Sequence, residues 1–177
     1  MKTPTKLVTK RTILRRFKEK DFQAFNLFMT NTEAVKYLLF TDEQKTTKGI
    51  KELFDYTIQS YSDEMEMFSL TIADKSSDEF IGSVGAAPDF QDDANCVQIY
   101  WSLLPEFWSK GYATEATNIL IKYLLQQEKV NKIKAYSHPN NDRSLKVAKK
   151  VGMKDLGISF IEAIGLESRC FVITDED

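Results

Sequence analysis

Tyr100-Trp101-Ser102-Leu103-Leu104-Pro105-Glu106-Phe107-Trp108-Ser109-Lys110-Gly111-Tyr112-Ala113-Thr114-Glu115-Ala116 reads as an apolar strand, a short loop and the start of a helix. That order predicts an anion site. The first N–H groups of a helix have no intrahelical partner and lie at the positive end of its dipole, so a loop that turns straight into a helix holds phosphate without a cationic side chain. Gly111 has no Cβ, which admits positive φ and a close approach to the backbone, and Ala113 keeps the next turn thin. A plain strand-to-helix turn would also accept one glycine, so the rest of the chain must decide between the two.

Outward from this stretch the pattern alternates between strand and helix. Thr12 to Phe17 reads as a first strand, Asp21 as the cap of a helix to about Met29, and Glu33 to Leu39 as a short helical turn. Thr46 or Thr47 opens a longer helix whose Ile50, Leu53, Phe54, Ile58 and Tyr61 form one apolar face. Phe68, Leu70 and Ile72 alternate, the Asp74 to Asp78 cluster turns the chain, and Phe80 to Gly85 returns as a partner strand. A polar loop from Pro88 to Asn95 leads into a fourth strand, in which Val97, Ile99, Trp101 and Leu103 share a face. Beyond Gly111 the period is helical, with Ala113, Ala116, Leu120 and Tyr123 or Leu124 turned to the sheet. Asn131 to His138 is a fifth strand, and Asn141 or Asp142 caps the helix that follows.

Composition points to one domain over residues 1–177, with 42% hydrophobic and 12% aromatic residues, enough to bury a core without metals or disulfides. Cys96 and Cys170 each fall in a strand-like run, which predicts buried reduced thiols and a cytoplasmic setting. No secretory signal and no run of membrane-spanning length is expected, so no membrane partner is either. A net charge of −2 argues against a nucleic-acid binder. Two basic clusters remain. Lys10, Arg11, Arg15 and Arg16 read as solvated surface, while Lys146, Lys149 and Lys150 lie on the helix after the fifth strand.

The string Trp-Ser-Lys-Gly-Tyr-Ala-Thr-Glu-Ala resembles the coenzyme A pyrophosphate loop of the GNAT superfamily of N-acetyltransferases, usually Arg/Gln-x-x-Gly-x-Gly/Ala. Gly111 and Ala113 take its two small positions, and Trp108 stands where Arg or Gln is commonest. Tryptophan there resembles the Rim-type (RimJ/RimL-like) branch of ribosomal-protein N-acetyltransferases, as do Thr12-Ile-Leu-Arg15, Ile81-Gly-Ser-Val-Gly85 and Tyr100-Trp101. A second match follows in the proper order, with Asn141, Ser144, Gly152 and Met153 on the family's Asn-x-x-Ser/Ala and Gly-Phe/Met positions. Walker and dinucleotide glycine patterns are absent.

The resemblance implies an α/β (α+β) GNAT acyltransferase fold: a mixed, mostly antiparallel sheet flanked by helices, with the fourth and fifth strands splayed around the cofactor. It implies that Trp108, Ser109, Lys110, Gly111, Tyr112, Ala113 and Thr114 form the pyrophosphate loop. Main-chain N–H groups of Ser102, Leu103 and Leu104 would hold the pantetheine arm and polarise the acetyl carbonyl, Asn141 would bind a pantetheine amide, and Arg143 or the lysines near it would meet the 3′-phosphate. The two helices after the first strand would rim the acceptor pocket. Ser144 is the candidate catalytic acid for the leaving thiolate, because the family's more usual tyrosine falls at Ala148. The Rim-type glutamate is missing from Val97-Gln98-Ile99-Tyr100-Trp101, which leaves Glu162 on a sixth strand or His138 as substitute bases.

The expected activity is transfer of acetyl from acetyl-CoA, without a metal, to a primary amine on a protein N-terminus or a small molecule. A non-catalytic coenzyme A binding or regulatory module is the alternative. Oligomeric state is left open, a homodimer included.

Overall fold

The structure is a computed structural model that describes residues 1–62, 64–89, 91, 95–162 and 165–176. Among the described residues eight strands form one sheet: β1 Lys6–Val8, β2 Thr12–Arg15, β3 Phe68–Asp74, β4 Phe80–Pro88, β5 Cys96–Leu103, β6 Lys132–Ser137, β7 Lys154–Ile161 and β8 Leu166–Thr174. Their spatial order is β1-β2-β3-β4-β5-β6-β8-β7, and among these strands β5 pairs with β6 in parallel while the other neighbours are antiparallel. The helices are α1 Phe22–Thr30, α2 Thr32–Val35, α3 Thr47–Gln59, α4 Tyr112–Leu125 and α5 Asp142–Lys150.

Side chains alternate across each strand, so the two faces of the sheet bury different partners. On one face Val97, Ile99, Leu103, Ile133 and Ala135 pack with Ala116, Leu120 and Leu124 of α4 and with Leu145 and Ala148 of α5. On the other, α1 and α3 close an aromatic cluster of Phe17, Phe25, Phe28, Phe54 and Phe80. Phe17 meets Phe25 edge-on at 5.8 Å and Phe54 at 5.9 Å, the geometry that aromatic quadrupoles favour. Thr46 accepts from Gly49 N–H as the side-chain cap of α3, and Ile50 and Phe54 are the fully buried members of that helix's apolar stripe.

Several sequence expectations need correction. A short strand, β1, precedes the expected first one. Asp21 is not a side-chain cap for α1; it is 2% exposed and takes a bidentate contact from Arg15, at 2.7 and 2.9 Å. Arg15 is therefore not surface: it is 6% exposed and also reaches Asp78. Glu162 does not lie on a strand but in the exposed turn after β7. Pro88 ends β4, and residues 90 and 92–94 of the expected loop lie outside the described residues. Cys96 and Cys170 are both buried thiols. Among the described residues no helix is long and apolar enough to cross a membrane, and no group of three or more His, Cys, Asp or Glu could hold a metal.

The Arg15 centre ties β2 to the start of α1 and to the β3–β4 turn, because Thr71 also donates to Asp21 and Lys18 and Lys20 join Asp78. Burial raises the Asp78 pKa, but hydrogen bonds from Lys18, Lys20 and Arg15 outweigh it and hold the carboxyl well below its usual range. A depressed carboxylate stabilises the fold above its unfolded pKa and loses that contribution as pH falls through the folded value. Urea unfolding is therefore expected to show stability declining below about pH 4, with a shallower decline in Asp78→Asn. Asp21→Ala leaves the Arg15 guanidinium buried without its main partner and is expected to cost about 3–5 kcal/mol at pH 7.

Candidate active site

The site begins where a pairing stops. β5 and β6 are in register at Cys96–Lys132, Val97–Ile133 and Gln98–Lys134, and no further pair follows although both strands continue. β5 is meanwhile held along its whole length by β4, and β6 by β8, so the two strands part. Which main-chain groups face the gap follows from the antiparallel alternation. Leu104 N–H donates to Ile81 and Asp89 N–H to Cys96, which turns the even-numbered residues of β5 toward β4. Trp101 and Leu103 consequently present their main-chain groups to the opening, where no strand meets them among the described residues.

At the wide end of the gap the chain enters the loop that precedes α4. Ser109 and Gly111 both have positive φ, 59° and 83°, so consecutive peptide groups curl into a concavity. Gly111 is the N-cap of α4 with no side-chain cap, and the first intrahelical bond runs from Glu115 N–H to Gly111 at 3.0 Å. The N–H groups of Tyr112, Ala113 and Thr114 thus have no acceptor within the helix. Arg11 holds the loop from behind: its Nη1 donates to Lys110 O at 3.0 Å, its Nε to Glu115 at 2.8 Å, and its guanidinium lies 4.4 Å over the Tyr112 ring. Glu115 also accepts from Thr9 Oγ1 and Arg11 N–H. Burial would raise its pKa; these hydrogen bonds win and lower it.

The second motif meets the first. Trp108 donates its indole N–H to Leu103 O at 2.9 Å, and the Arg143 guanidinium of α5 stacks on the Trp108 ring at 3.8 Å. Asn141 caps α5, its Oδ1 accepting from Ser144 N–H at 3.3 Å. Ser144 is half-buried in the first turn, whereas Ala148 is 1% exposed in the core, so a hydroxyl is available at the first position and not at the second. His138 is exposed, accepts from Asn140 N–H at Nδ1, and stacks on Tyr37 at 4.8 Å. Tyr37 donates to Asn140 O, joining the chain after α2 to this end of the site.

On the α1/α3 face of the gap lies a polar floor. A Cβ at Gly85 would sit 2.3 Å from Tyr100 Cε1, so glycine is what lets that ring lie across β4. Its hydroxyl donates to Ser69 Oγ at 2.6 Å, and burial of that end pushes the phenol pKa up although the residue as a whole stays 39% exposed.

Most of the predicted residues come together: Trp108, Ser109, Lys110, Gly111, Tyr112, Ala113 and Thr114 form the loop, with Asn141 and Ser144 brought to it by the Arg143–Trp108 stack. Two expectations are corrected. Leu104 N–H is engaged by Ile81 and Ser102 faces β4, so of the three predicted strand donors Leu103 alone opens to the gap. Arg11, read as solvated surface, is the brace of the loop. Its partner Glu115 stood in the first-quoted stretch, but a carboxylate in a helix's first turn has many reasons to be there, and only the fold brings Arg11 to it.

A family profile described as acetyltransferase (GNAT) domain matches residues 11–154. The chain is 28% identical over 154 residues to an uncharacterized N-acetyltransferase of Bacillus subtilis, YnaD, covering 85% of this chain and 84% of that one. It is 27% identical to the uncharacterized N-acetyltransferase p20 of Bacillus licheniformis, over 86% and 84%. Among solved structures, a GNAT-family acetyltransferase from Bacillus anthracis superposes with TM-score 0.78 at 21% identity, covering 97% and 99% of the two chains. The aminoglycoside acetyltransferase AAC(6')-Ib with coenzyme A superposes with TM-score 0.74 at 16% identity, over 92% and 94%.

Because Asn141 and not Ser144 caps α5, the two should differ in thermal denaturation. Asn141→Ala is expected to lose about 1 kcal/mol, and Ser144→Ala to stay within about 0.5 kcal/mol of wild type.

Proposed function

Since the chain belongs to the acetyltransferase (GNAT) domain family, we propose that it moves the acetyl group of acetyl-coenzyme A onto the α-amine of a peptide or protein N-terminus, with small primary amines as the second substrate class. The observation that carries this reading is the parting of β5 from β6 beside the uncapped N-terminus of α4. One such gap with a phosphate cradle at its mouth suits a long, thin ligand with a pyrophosphate at one end.

In this reading the N–H groups of Tyr112, Ala113 and Thr114 hold the pyrophosphate, and Arg143, already stacked on Trp108, serves the 3′-phosphate. Leu103 N–H polarises the arm or its carbonyl, and the Asn141 amide nitrogen meets a carbonyl of the arm. The acceptor approaches from the face carrying Tyr100, Ser69 and α3. Its nitrogen forms the C–N bond as the C–S bond breaks. Ser144 supplies the proton taken up by the departing sulfur, and the proton shed by the amine restores the balance through solvent. Leu103 contributes to the oxyanion because a main-chain donor is already oriented when charge develops.

The acceptor class follows from the missing carboxylate. Val97 stands at the position of the Rim-type glutamate and is 4% exposed, so it offers no base. An α-amine with a pKa of about 8 is partly neutral at pH 7, while a lysine at about 10.4 needs a base to deprotonate it. The Rim-type likeness of Tyr100-Trp101 and Trp108 supports the same acceptor. The aminoglycoside named for AAC(6')-Ib keeps polyamines among the compounds to test.

Purified protein should release free thiol from acetyl-CoA when given peptides with free N-termini, and not when the same peptides are N-acetylated. Saturable coenzyme A binding without turnover on any peptide, polyamine, amino acid or aminoglycoside would overturn the assignment. Gly111→Val, strained at φ 83° and crowding the cradle, is expected to weaken acetyl-CoA binding far more than Lys110→Ala. Ser144→Ala should lower kcat by about 10²- to 10⁴-fold with the KM for acetyl-CoA within a few-fold. An unchanged kcat in the folded variant removes Ser144 from the reaction.

A further inference from the structure

Two of the buried side-chain polar atoms that lack a hydrogen-bond partner among the described residues lie on the strands that part: Trp101 Nε1 on β5 and Ser137 Oγ on β6. The offset that pairs Gln98 with Lys134 sets Trp101 level with Ser137, just past the last pair. Alternation puts Trp101 on the face of Val97, Ile99 and Leu103, and Ser137 on the face of Ile133 and Ala135, so both lie on the side covered by α4 and α5. Ser137 retains only 9% exposure.

More than about nine in ten buried polar groups are hydrogen-bonded, because an unmet donor loses water and gains nothing. One orphan is unremarkable; two at the same level on either side of one gap call for a common partner. Their chemistry narrows it. An indole N–H only donates, so it needs an acceptor such as a carbonyl oxygen, whereas a serine hydroxyl both donates and accepts. A ligand that threads the gap with carbonyl and amide groups along its length meets both requirements, and phosphate, which offers no donor when ionised, meets them less well.

We propose that Trp101 Nε1 and Ser137 Oγ are the side-chain pair that grips the acyl-pantetheine arm in the gap, Trp101 donating to a carbonyl oxygen and Ser137 bonding the neighbouring amide or thioester. This rests on the acetyl-CoA reading above. The pair is separate from the phosphate cradle and from Ser144, and it positions the arm without entering the proton transfer.

Calorimetric titration with coenzyme A, and with adenosine 3′,5′-bisphosphate, which has the nucleotide end but no arm, tests it. Ser137→Ala and Trp101→Phe should each raise the Kd for coenzyme A about three- to tenfold and leave that for the bisphosphate unchanged. Free Ser137→Ala should melt no lower than wild type, since an unsatisfied hydroxyl has left the interior. Trp101→Phe also trims a packed ring, so Ser137→Ala carries the test if the tryptophan variant unfolds. Coenzyme A affinity equal to wild type in Ser137→Ala overturns the proposal. So does a parallel loss of both ligands accompanied by a lower Tm. Wild-type protein that binds neither ligand overturns the acetyl-CoA reading itself, and this inference with it.

Discussion

The end of hydrogen bonding between β5 and β6 is the constraint on which the rest of the site depends. Two parallel strands that stay paired leave no room for a ligand; two that separate leave main-chain donors and acceptors unmet. Here the separation is imposed from outside the pair. β4 holds β5 from Val97 to Leu103 and β8 holds β6 from Lys132 to Ser137, so each strand follows its antiparallel neighbour. Sheet twist then carries them apart once their short common register has ended. The main-chain groups of Trp101 and Leu103 are the chemical consequence, and the Trp108 indole on Leu103 O shows one of them already taken by the loop.

The anion loop depends on the gap for its place and on β1 and β2 for its shape. Positive φ at Ser109 is unfavourable for a residue with a Cβ, and it persists because the surrounding contacts over-determine the loop. Arg11 holds Lys110 O, stacks on Tyr112 and pairs with Glu115, while Thr9 and Arg11 N–H complete the carboxylate's shell. The charge of Arg11 is balanced by Glu115 beside it, so Arg11 adds little net charge to the loop it braces. Arg143 plays a different part. Its stack on Trp108 links the start of α5 to the loop, which sets Ser144 and the N-terminus of α4 in one frame.

The opposite face has another character. The aromatic cluster under α1 and α3 and the Arg15–Asp21–Asp78 centre secure that layer, and Tyr100, lying over Gly85, is the polar surface it leaves beside the gap. Val97, on the α4/α5 face of β5, carries no carboxylate. In the proposed reaction that absence favours an acceptor that loses its proton readily over one that must be deprotonated by the protein.

Much of this was legible in the residues alone. Alternation in Val97, Ile99 and Leu103, the change to helical period after Gly111, and the Asn141 cap are local signals, because they depend on side chains a few positions apart. They determined the strand–loop–helix order, the bare helix terminus and the family likeness. Other features depend on partners far along the chain. Arg11 and Arg15 looked alike as basic residues in a charged segment, yet one braces a loop 99 residues away at Lys110 and the other is buried against Asp21 and Asp78. Ser102 and Leu104 were indistinguishable from Leu103 as donors until β4 claimed the alternate ones. The orphaned atoms of Trp101 and Ser137 belong to the same kind. A sequence tells which groups can hydrogen-bond, but which go unmet is decided only when the whole sheet has taken its register, since pairing is a competition among every strand at once.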